Sequence, residues 1–270
     1  MTTLQTVAAP YDDLGAGAPS LLLVPGWCGD RSVFGPLAAE LAADHRVVVA
    51  ELRGQGALSH LSEDFDTARQ VDDLLALVDE LGLETVVPVA LSHAGWMAIE
   101  MRRRLGATRV PGIVLLDWMV LGTPPGFTEA LEGLQDAEAW QSVRAGLFEM
   151  WTAGVASQSV HDYVGAMGRY DFAHWSRAGR EIAAAFVREA SPLAALGRLA
   201  EPCPTLHLYA QPADDGYLTA QQEAAARLGW FQVERIAASS HFPMLEVPGS
   251  MAETVREFSA GPARRLVSDR

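Results

Sequence analysis

The feature that most limits the possible folds is an alternation of short apolar runs with stretches of helical spacing. The runs Ser20–Val24, Arg46–Leu52, Thr85–Val89 and Val110–Leu116 are rich in valine, isoleucine and leucine. Between them come stretches such as Thr67–Leu81, whose apolar residues recur at three- and four-residue steps, as in an amphipathic helix. Buried strands that alternate with helices predict an α/β fold with a mostly parallel sheet and helices on both faces.

The third of these runs leads into a short polar turn, Leu91–Trp96, that is followed by a helical pattern. A strand, a polar residue between small residues and then a helix form the pattern of a nucleophile elbow, which presents a serine at the end of a strand. Ser92 would be that serine. Ala90 and Ala94 stand where the two usual glycines would be, so the motif is degenerate. The alternative is that the polar residues only cap an ordinary helix.

The alternation breaks between about residues 122 and 191. Helical segments follow one another there without an intervening strand, and aromatic residues are concentrated among them. We therefore predict an α/β-hydrolase core formed by residues 1–121 and 192–270. Residues 122–191 are predicted to form a helical cap over the strand ends, where ligands bind in sheets of this kind.

Composition argues against several functional classes. The net charge of −14 is unsuited to nucleic acid or anionic membranes, which need a basic face. All 20 basic residues are arginine, so lysine Schiff-base chemistry is excluded. Two cysteines, Cys28 and Cys203, do not make a disulfide framework, and with no signal-peptide or membrane-spanning pattern we expect a cytoplasmic protein. The histidines are scattered without metal-ligand spacing, so we expect no metal site.

Three types of side chain occur in an order that suggests a catalytic triad. Ser92 is followed by Asp117 or, later, by Asp214 and Asp215, and then by His241 in the loop after the last predicted strand. Serine, acid and histidine in this sequence is the α/β-hydrolase order. His241 would be a general base, and the acid would fix its tautomer and stabilise the imidazolium. The local sequence leaves the choice of acid open.

Further motifs extend from about Leu21 to Phe258. They are Gly26-Trp27-Cys28, Ser92-His93 with Gly95-Trp96, Asp117-Trp118, Trp151, His174–Arg180, Gln211-Pro212 and His241-Phe242-Pro243. Together they resemble the cofactor-free dioxygenases of the α/β-hydrolase fold. Ordinary esterases share the first and last motifs but lack the Asp-Trp pair and the cap tryptophans.

The resemblance implies a reaction that needs no metal or organic cofactor. His241, paired with Asp117, would remove the 3-hydroxyl proton of a 3-hydroxy-4(1H)-quinolone, and the resulting anion would react directly with O2. Ring cleavage would release carbon monoxide and an N-acylanthranilate. The expected partners are thus a small aromatic N-heterocycle and O2.

The resemblance also assigns the substrate contacts. Ser92 would hydrogen-bond the substrate instead of attacking it. Trp27 and His93 would supply oxyanion-type contacts, and Trp151 would line the pocket. An aromatic pocket that excludes water would strengthen these polar contacts.

Two positions depart from the family pattern, because Gly29 and Leu91 stand where the family example has histidines. Both changes take polar side chains out of the predicted pocket, which favours a lipophilic substituent such as an alkyl chain at C2. Two other functions stay open at this point. One is a serine hydrolase, an esterase or amidase that uses Ser92, His241 and an acid, and the other is a non-catalytic or lyase-like relative that binds a small aromatic ligand.

Overall fold

Seven strands form the centre of the computed structural model, which describes residues 10–61 and 63–268. Of the predicted core, residues 1–9, 62 and 269–270 lie outside the described residues. The strands are β1 (Tyr11–Leu14), β2 (Ser20–Val24), β3 (Val47–Ala50), β4 (Val86–Leu91), β5 (Ile113–Leu116), β6 (Thr205–Tyr209) and β7 (Phe231–Arg235).

The strands pair in the order β1-β3-β2-β4-β5-β6-β7. β1 is antiparallel to β3, and every other pairing is parallel. Every residue of β2 to β6 is buried, whereas β1 is exposed and β7 is mostly so. A parallel sheet covered on both faces requires such continuously apolar strands. The predicted α/β fold is therefore confirmed.

Helices cover the sheet and form a layer beyond its strand ends. Those of the described chain are α1 (Gly35–Leu41), α2 (Thr67–Glu80), α3 (Gly95–Arg109), α4 (Phe127–Leu134), α5 (Trp140–Thr152), α6 (Gln158–Met167), α7 (Phe172–Glu189), α8 (Pro192–Gly197), α9 (Asp215–Leu228) and α10 (Pro248–Ser268). Among them, no helix is long and apolar enough to cross a membrane.

Helices α4 to α7 follow one another between β5 and β6, within the segment 122–191 that we predict to be a cap. Side chains between α6 and α7 attach this segment to the loops that follow β2 and β3. The Tyr170 hydroxyl donates a hydrogen bond to the Gly29 carbonyl after β2 (3.0 Å) and accepts one from the Gly56 N–H after β3 (2.8 Å). Arg169 forms an ion pair with Asp30, which also follows β2. The division into core and cap stays a prediction, and these contacts fix where the helical segment lies.

Candidate active site

Three sharp turns at the carboxyl ends of neighbouring strands define the site. Cys28 after β2 (φ 56°), Ser92 after β4 (φ 53°) and Asp117 after β5 (φ 43°) all adopt left-handed backbone conformations. Such conformations are costly for residues other than glycine and cluster at functional sites. The turns bring the side chains of Ser92 and Asp117 to one end of the sheet, as the strand pattern predicts.

The Asp117 carboxylate makes three hydrogen bonds within the site. One carboxylate oxygen lies 2.7 Å from His241 Nδ1. The other accepts the backbone N–H groups of Ala210 (2.7 Å) and Gln211 (3.1 Å), just after β6. The Asp117 side chain is 2% exposed, so these donors replace the water that a buried carboxylate has lost. A carboxylate on Nδ1 leaves Nε2 of His241 as the nitrogen that can take a proton.

The two other candidate acids have different partners. Asp214 caps helix α9, where its side chain accepts the Tyr217 N–H at 2.7 Å. The side chain of Asp215 is 90% exposed and pairs with Arg235. The structure therefore brings Asp117, and neither of the others, to His241.

The loop that carries His241 is fixed by a residue that sequence reasoning missed. The Glu246 carboxylate accepts the backbone N–H groups of Ser239 (3.2 Å) and Ser240 (2.8 Å). Gln211 Nε2 donates to the Ser239 carbonyl at 2.8 Å. A glutamate five positions after the histidine carries no distinctive sequence signal, because only the folded loop turns its carboxylate back towards those N–H groups.

Trp151 reaches the site from α5 and stacks on the His241 ring, with ring centroids 5.3 Å apart and planes inclined by 12°. Trp27 lies on the opposite loop and stacks on Phe65, with centroids 6.4 Å apart. Both tryptophans line the cavity. Sequence analysis placed both in the pocket, and the stack of Trp151 on the histidine was not foreseen.

His93 is buried beside Ser92 and is neutral. Its Nδ1 lies 3.0 Å from the indole nitrogen of Trp118, which donates a hydrogen bond. Burial, with a smaller contribution from His241, lowers the pKa of His93 from 6.5 to about 3. The rings of Phe127 and Phe186 also pack against His93, each at a centroid distance of 5.7 Å.

A cavity of about 750 Å³ lies between the strand ends and helices α4 to α7. All six predicted site residues line it, namely Trp27, Ser92, His93, Asp117, Trp151 and His241. Among the described residues, the Ser92 hydroxyl makes no hydrogen bond to His241, and no cluster of three His, Cys, Asp or Glu side chains could hold a metal.

Comparison with known proteins places this geometry in a family. The model of the Alpha/beta hydrolase family matches residues 21–254. A 2-heptyl-3-hydroxy-4(1H)-quinolone dioxygenase of Mycobacteroides abscessus is 36% identical over 96% of this chain and 97% of its own length. A 1H-3-hydroxy-4-oxoquinoline 2,4-dioxygenase of Pseudomonas putida is 34% identical over 89% of this chain and 91% of its own length. The chain belongs to the quinolone dioxygenases of the alpha/beta hydrolase family.

Solved structures agree with this membership. An AqdC variant in complex with its substrate, from work on ring cleavage of the Pseudomonas quinolone signal, has a TM-score of 0.90 and 35% identity over 96% of this chain and 99% of its own. An esterase of Thermogutta terrifontis has a TM-score of 0.74 at 22% identity over 94% of this chain and 93% of its own, which shows a shared fold alone. The resemblance stated from sequence motifs is thus confirmed.

This quinolone dioxygenase has a tyrosine hydroxyl beside Gly29, one of the two positions that depart from the expected histidines. A Cβ atom at Gly29 would lie 2.2 Å from the Tyr163 hydroxyl oxygen. That hydroxyl accepts the Asp30 N–H (3.1 Å) and donates to the Asp30 carbonyl (3.2 Å). A polar group from α6 therefore occupies space that a side chain at residue 29 would need. Leu91, the other position, is buried and lines the cavity.

We expect Gly29→Ala to lower the free energy of unfolding by about 1–3 kcal/mol, because its methyl group would overlap the Tyr163 hydroxyl. Tyr163→Phe alone should cost about 1 kcal/mol through its lost hydrogen bonds. The double variant should lose less than the sum, since the tyrosine ring carbon lies at an ordinary 3.4 Å from the added atom. Urea unfolding of the four proteins measures this coupling, and strictly additive losses would contradict the overlap.

Proposed function

We propose that the protein is a 2,4-dioxygenase that cleaves the heteroaromatic ring of a 2-alkyl-3-hydroxy-4(1H)-quinolone with O2 and uses no metal or organic cofactor. The observation that carries the proposal is the His241–Asp117 pair at the polar end of a largely apolar cavity, in a chain whose relatives are named quinolone dioxygenases. A flat heteroaromatic ring suits a cavity with aromatic walls.

The first step is removal of the proton from the substrate's 3-hydroxyl. His241 Nε2 takes this proton, and Asp117 stabilises the imidazolium that forms. Support comes from the 2.7 Å contact between Asp117 and Nδ1 and from the two N–H groups that keep the carboxylate in place. Trp151 stacks on the His241 ring and so helps to hold it in place.

The substrate anion then transfers electrons to O2. A peroxide forms at C2 and attacks the C4 carbonyl, and collapse of the cyclic intermediate expels C3 as carbon monoxide. Both oxygen atoms of O2 stay in the N-acylanthranilate product, one in its amide and one in its carboxylate. Ser92 hydrogen-bonds the substrate during this sequence, while Trp27 and His93 provide oxyanion-type contacts.

The alkyl chain at C2 is assigned to the side of the cavity formed by the cap helices. Several leucine, isoleucine and methionine side chains line that side, among them Leu131, Leu134, Met167 and Ile182. Each CH2 group buried there contributes about 0.8 kcal/mol to binding. The cavity can hold more than a bare bicyclic ring.

A serine hydrolase is not favoured. The relatives that cover nearly the whole chain are dioxygenases, and the match to an esterase extends to the fold alone. Ser92 also lacks the hydrogen bond to His241 that activates a nucleophile, as far as the described residues go.

The proposal is tested by incubating EDTA-treated protein with 2-heptyl-3-hydroxy-4(1H)-quinolone in air and under argon. We expect loss of substrate absorbance in air alone, with one O2 consumed and one carbon monoxide released per quinolone. Activity that disappears with EDTA and returns with added metal would contradict cofactor independence. Unchanged quinolone in air would contradict the function itself.

Two alanine variants separate the proposed roles of the polar residues. His241→Ala should lower kcat by about 10²–10⁴-fold, since it removes the general base. Ser92→Ala should lower kcat/KM by about tenfold, the effect of one lost hydrogen bond. Steady-state O2 uptake gives both values. Complete loss of turnover in Ser92→Ala would instead indicate a nucleophilic serine.

Chain length at C2 provides a separate test of the apolar side of the cavity. We expect kcat/KM for the 2-heptyl quinolone to exceed that for the 2-methyl compound by at least about tenfold, because its extra CH2 groups are buried. Ala178→Leu, on the cavity side of α7, should reduce this preference. Ala184→Leu, on the exposed side of the same helix, is the matched control. Equal turnover of the two substrates by the unmodified protein would contradict the assignment.

A further inference from the structure

We propose that Trp118 is a positioning residue of the reaction, which holds His93 in the tautomer that carries its proton on Nε2. His93 would then present a fixed neutral donor to the substrate anion. The inference rests on the proposed function, since it concerns the charge formed when His241 takes the substrate's proton.

The hydrogen bond between Trp118 and His93 has one possible direction. The indole nitrogen carries a proton and has no lone pair to offer, so it can only donate. It lies 3.0 Å from His93 Nδ1, which must therefore be unprotonated. A neutral imidazole has one proton, and here that proton has to sit on Nε2.

The environment of His93 keeps this ring neutral. It is buried and has aromatic neighbours, and the pKa of about 3 follows from that burial and from the nearby His241. A second imidazolium beside His241 would oppose the protonation of the base. His93 thus neither takes up nor releases a proton while His241 does so.

The Nε2–H group of His93 is left for a ligand. It makes no hydrogen bond to any residue that the structure describes, and His93 is part of the cavity wall. Nε2 of His93 is not among the fully buried, unpartnered polar atoms of the described residues, so it is left accessible. A substrate oxygen could accept its hydrogen bond. His93 follows Ser92 in the chain and lines the same cavity as His241.

Trp118 is itself held from two directions. Its backbone N–H donates to His207 Nε2 at 3.2 Å, and His207 Nδ1 lies 2.6 Å from the Gln221 side-chain oxygen. Its indole ring packs over Gly95, where a Cβ would come within 2.2 Å of a ring carbon. The indole N–H therefore reaches His93 from a fixed position.

The tautomer of His207 is also fixed by its hydrogen-bond partners. Because it accepts the Trp118 N–H at Nε2, its own proton is on Nδ1 and is donated to Gln221. Burial lowers the pKa of His207 to about 4, so it too stays neutral. The contacts thus fix Trp118, and Trp118 fixes the tautomer of His93 before substrate binds. A donor that is oriented in advance stabilises developing negative charge without rearrangement.

The test compares Trp118→Phe with Trp96→Phe. Phe at 118 keeps an aromatic ring over Gly95 but removes the hydrogen bond to His93. Trp96 is the matched control, since it packs edge-on against Trp118 at 4.8 Å and its buried indole N–H has no hydrogen-bond partner among the described residues. We expect Trp118→Phe to lower kcat by about tenfold with KM changed less than about threefold, and Trp96→Phe to keep kcat within about twofold.

A second readout follows the tautomer directly. In ¹⁵N-labelled protein without substrate, His93 should show an unprotonated Nδ1 and a protonated Nε2, and Trp118→Phe should show a mixture of both tautomers. The unmodified protein gives this answer even if Trp118→Phe does not fold. A proton on Nδ1 of the unmodified protein would overturn the inference.

The kinetic and spectroscopic results together separate the possible failures. Equal kcat values for the two variants would show that Trp118 is only structural and would overturn its positioning role. If the unmodified protein does not consume quinolone in air, the proposed function is wrong, and the nitrogen spectrum still reports whether Trp118 sets the tautomer.

Discussion

The buried carboxylate of Asp117 is the constraint on which the site depends. A charge removed from water must be met by hydrogen-bond donors, and at Asp117 they come from two separate parts of the chain. Two are the backbone N–H groups after β6, which lie beside Asp117 because β5 and β6 are neighbours in the sheet. The third is His241, which follows β7. The sheet order thus determines which histidine meets which acid.

Much of this arrangement could be predicted from the sequence, because strand periodicity and chain order are local properties. Apolar runs predict the parallel sheet, and polar residues that follow those runs must gather at its carboxyl edge. The choice of acid could not be made locally, since Asp117 and Asp214 both come after strands. In the folded chain the difference is plain, because the Asp214 carboxylate is used to cap a helix. The resemblance to the dioxygenase family indicated Asp117 as the acid, a choice that the local sequence pattern left open.

Contacts between distant segments escaped prediction. Tyr163 and Gly29 are far apart in sequence, so the absence of a side chain at residue 29 gave no sign that a hydroxyl from α6 would fill the space. The hydrogen bonds of Glu246 and Trp118 could not be predicted either, since each joins residues that meet only in the folded chain. The spacing of apolar residues predicts which residues are buried, but it does not predict which polar atoms form hydrogen bonds with each other.

The two histidines of the cavity show why those polar contacts matter. At His241 the group beside Nδ1 is a carboxylate, which accepts a hydrogen bond from that nitrogen and leaves Nε2 as the nitrogen that can take a proton. At His93 the group beside Nδ1 is an indole N–H, which donates to that nitrogen and leaves Nε2 as a donor. In the proposed reaction one residue type therefore serves two opposite purposes in a single cavity, and the hydrogen-bond partner of Nδ1 decides which. Exchange of the two partners would make His93 a base and His241 a donor, so the proposed chemistry depends on Asp117 and Trp118 as much as on the histidines themselves.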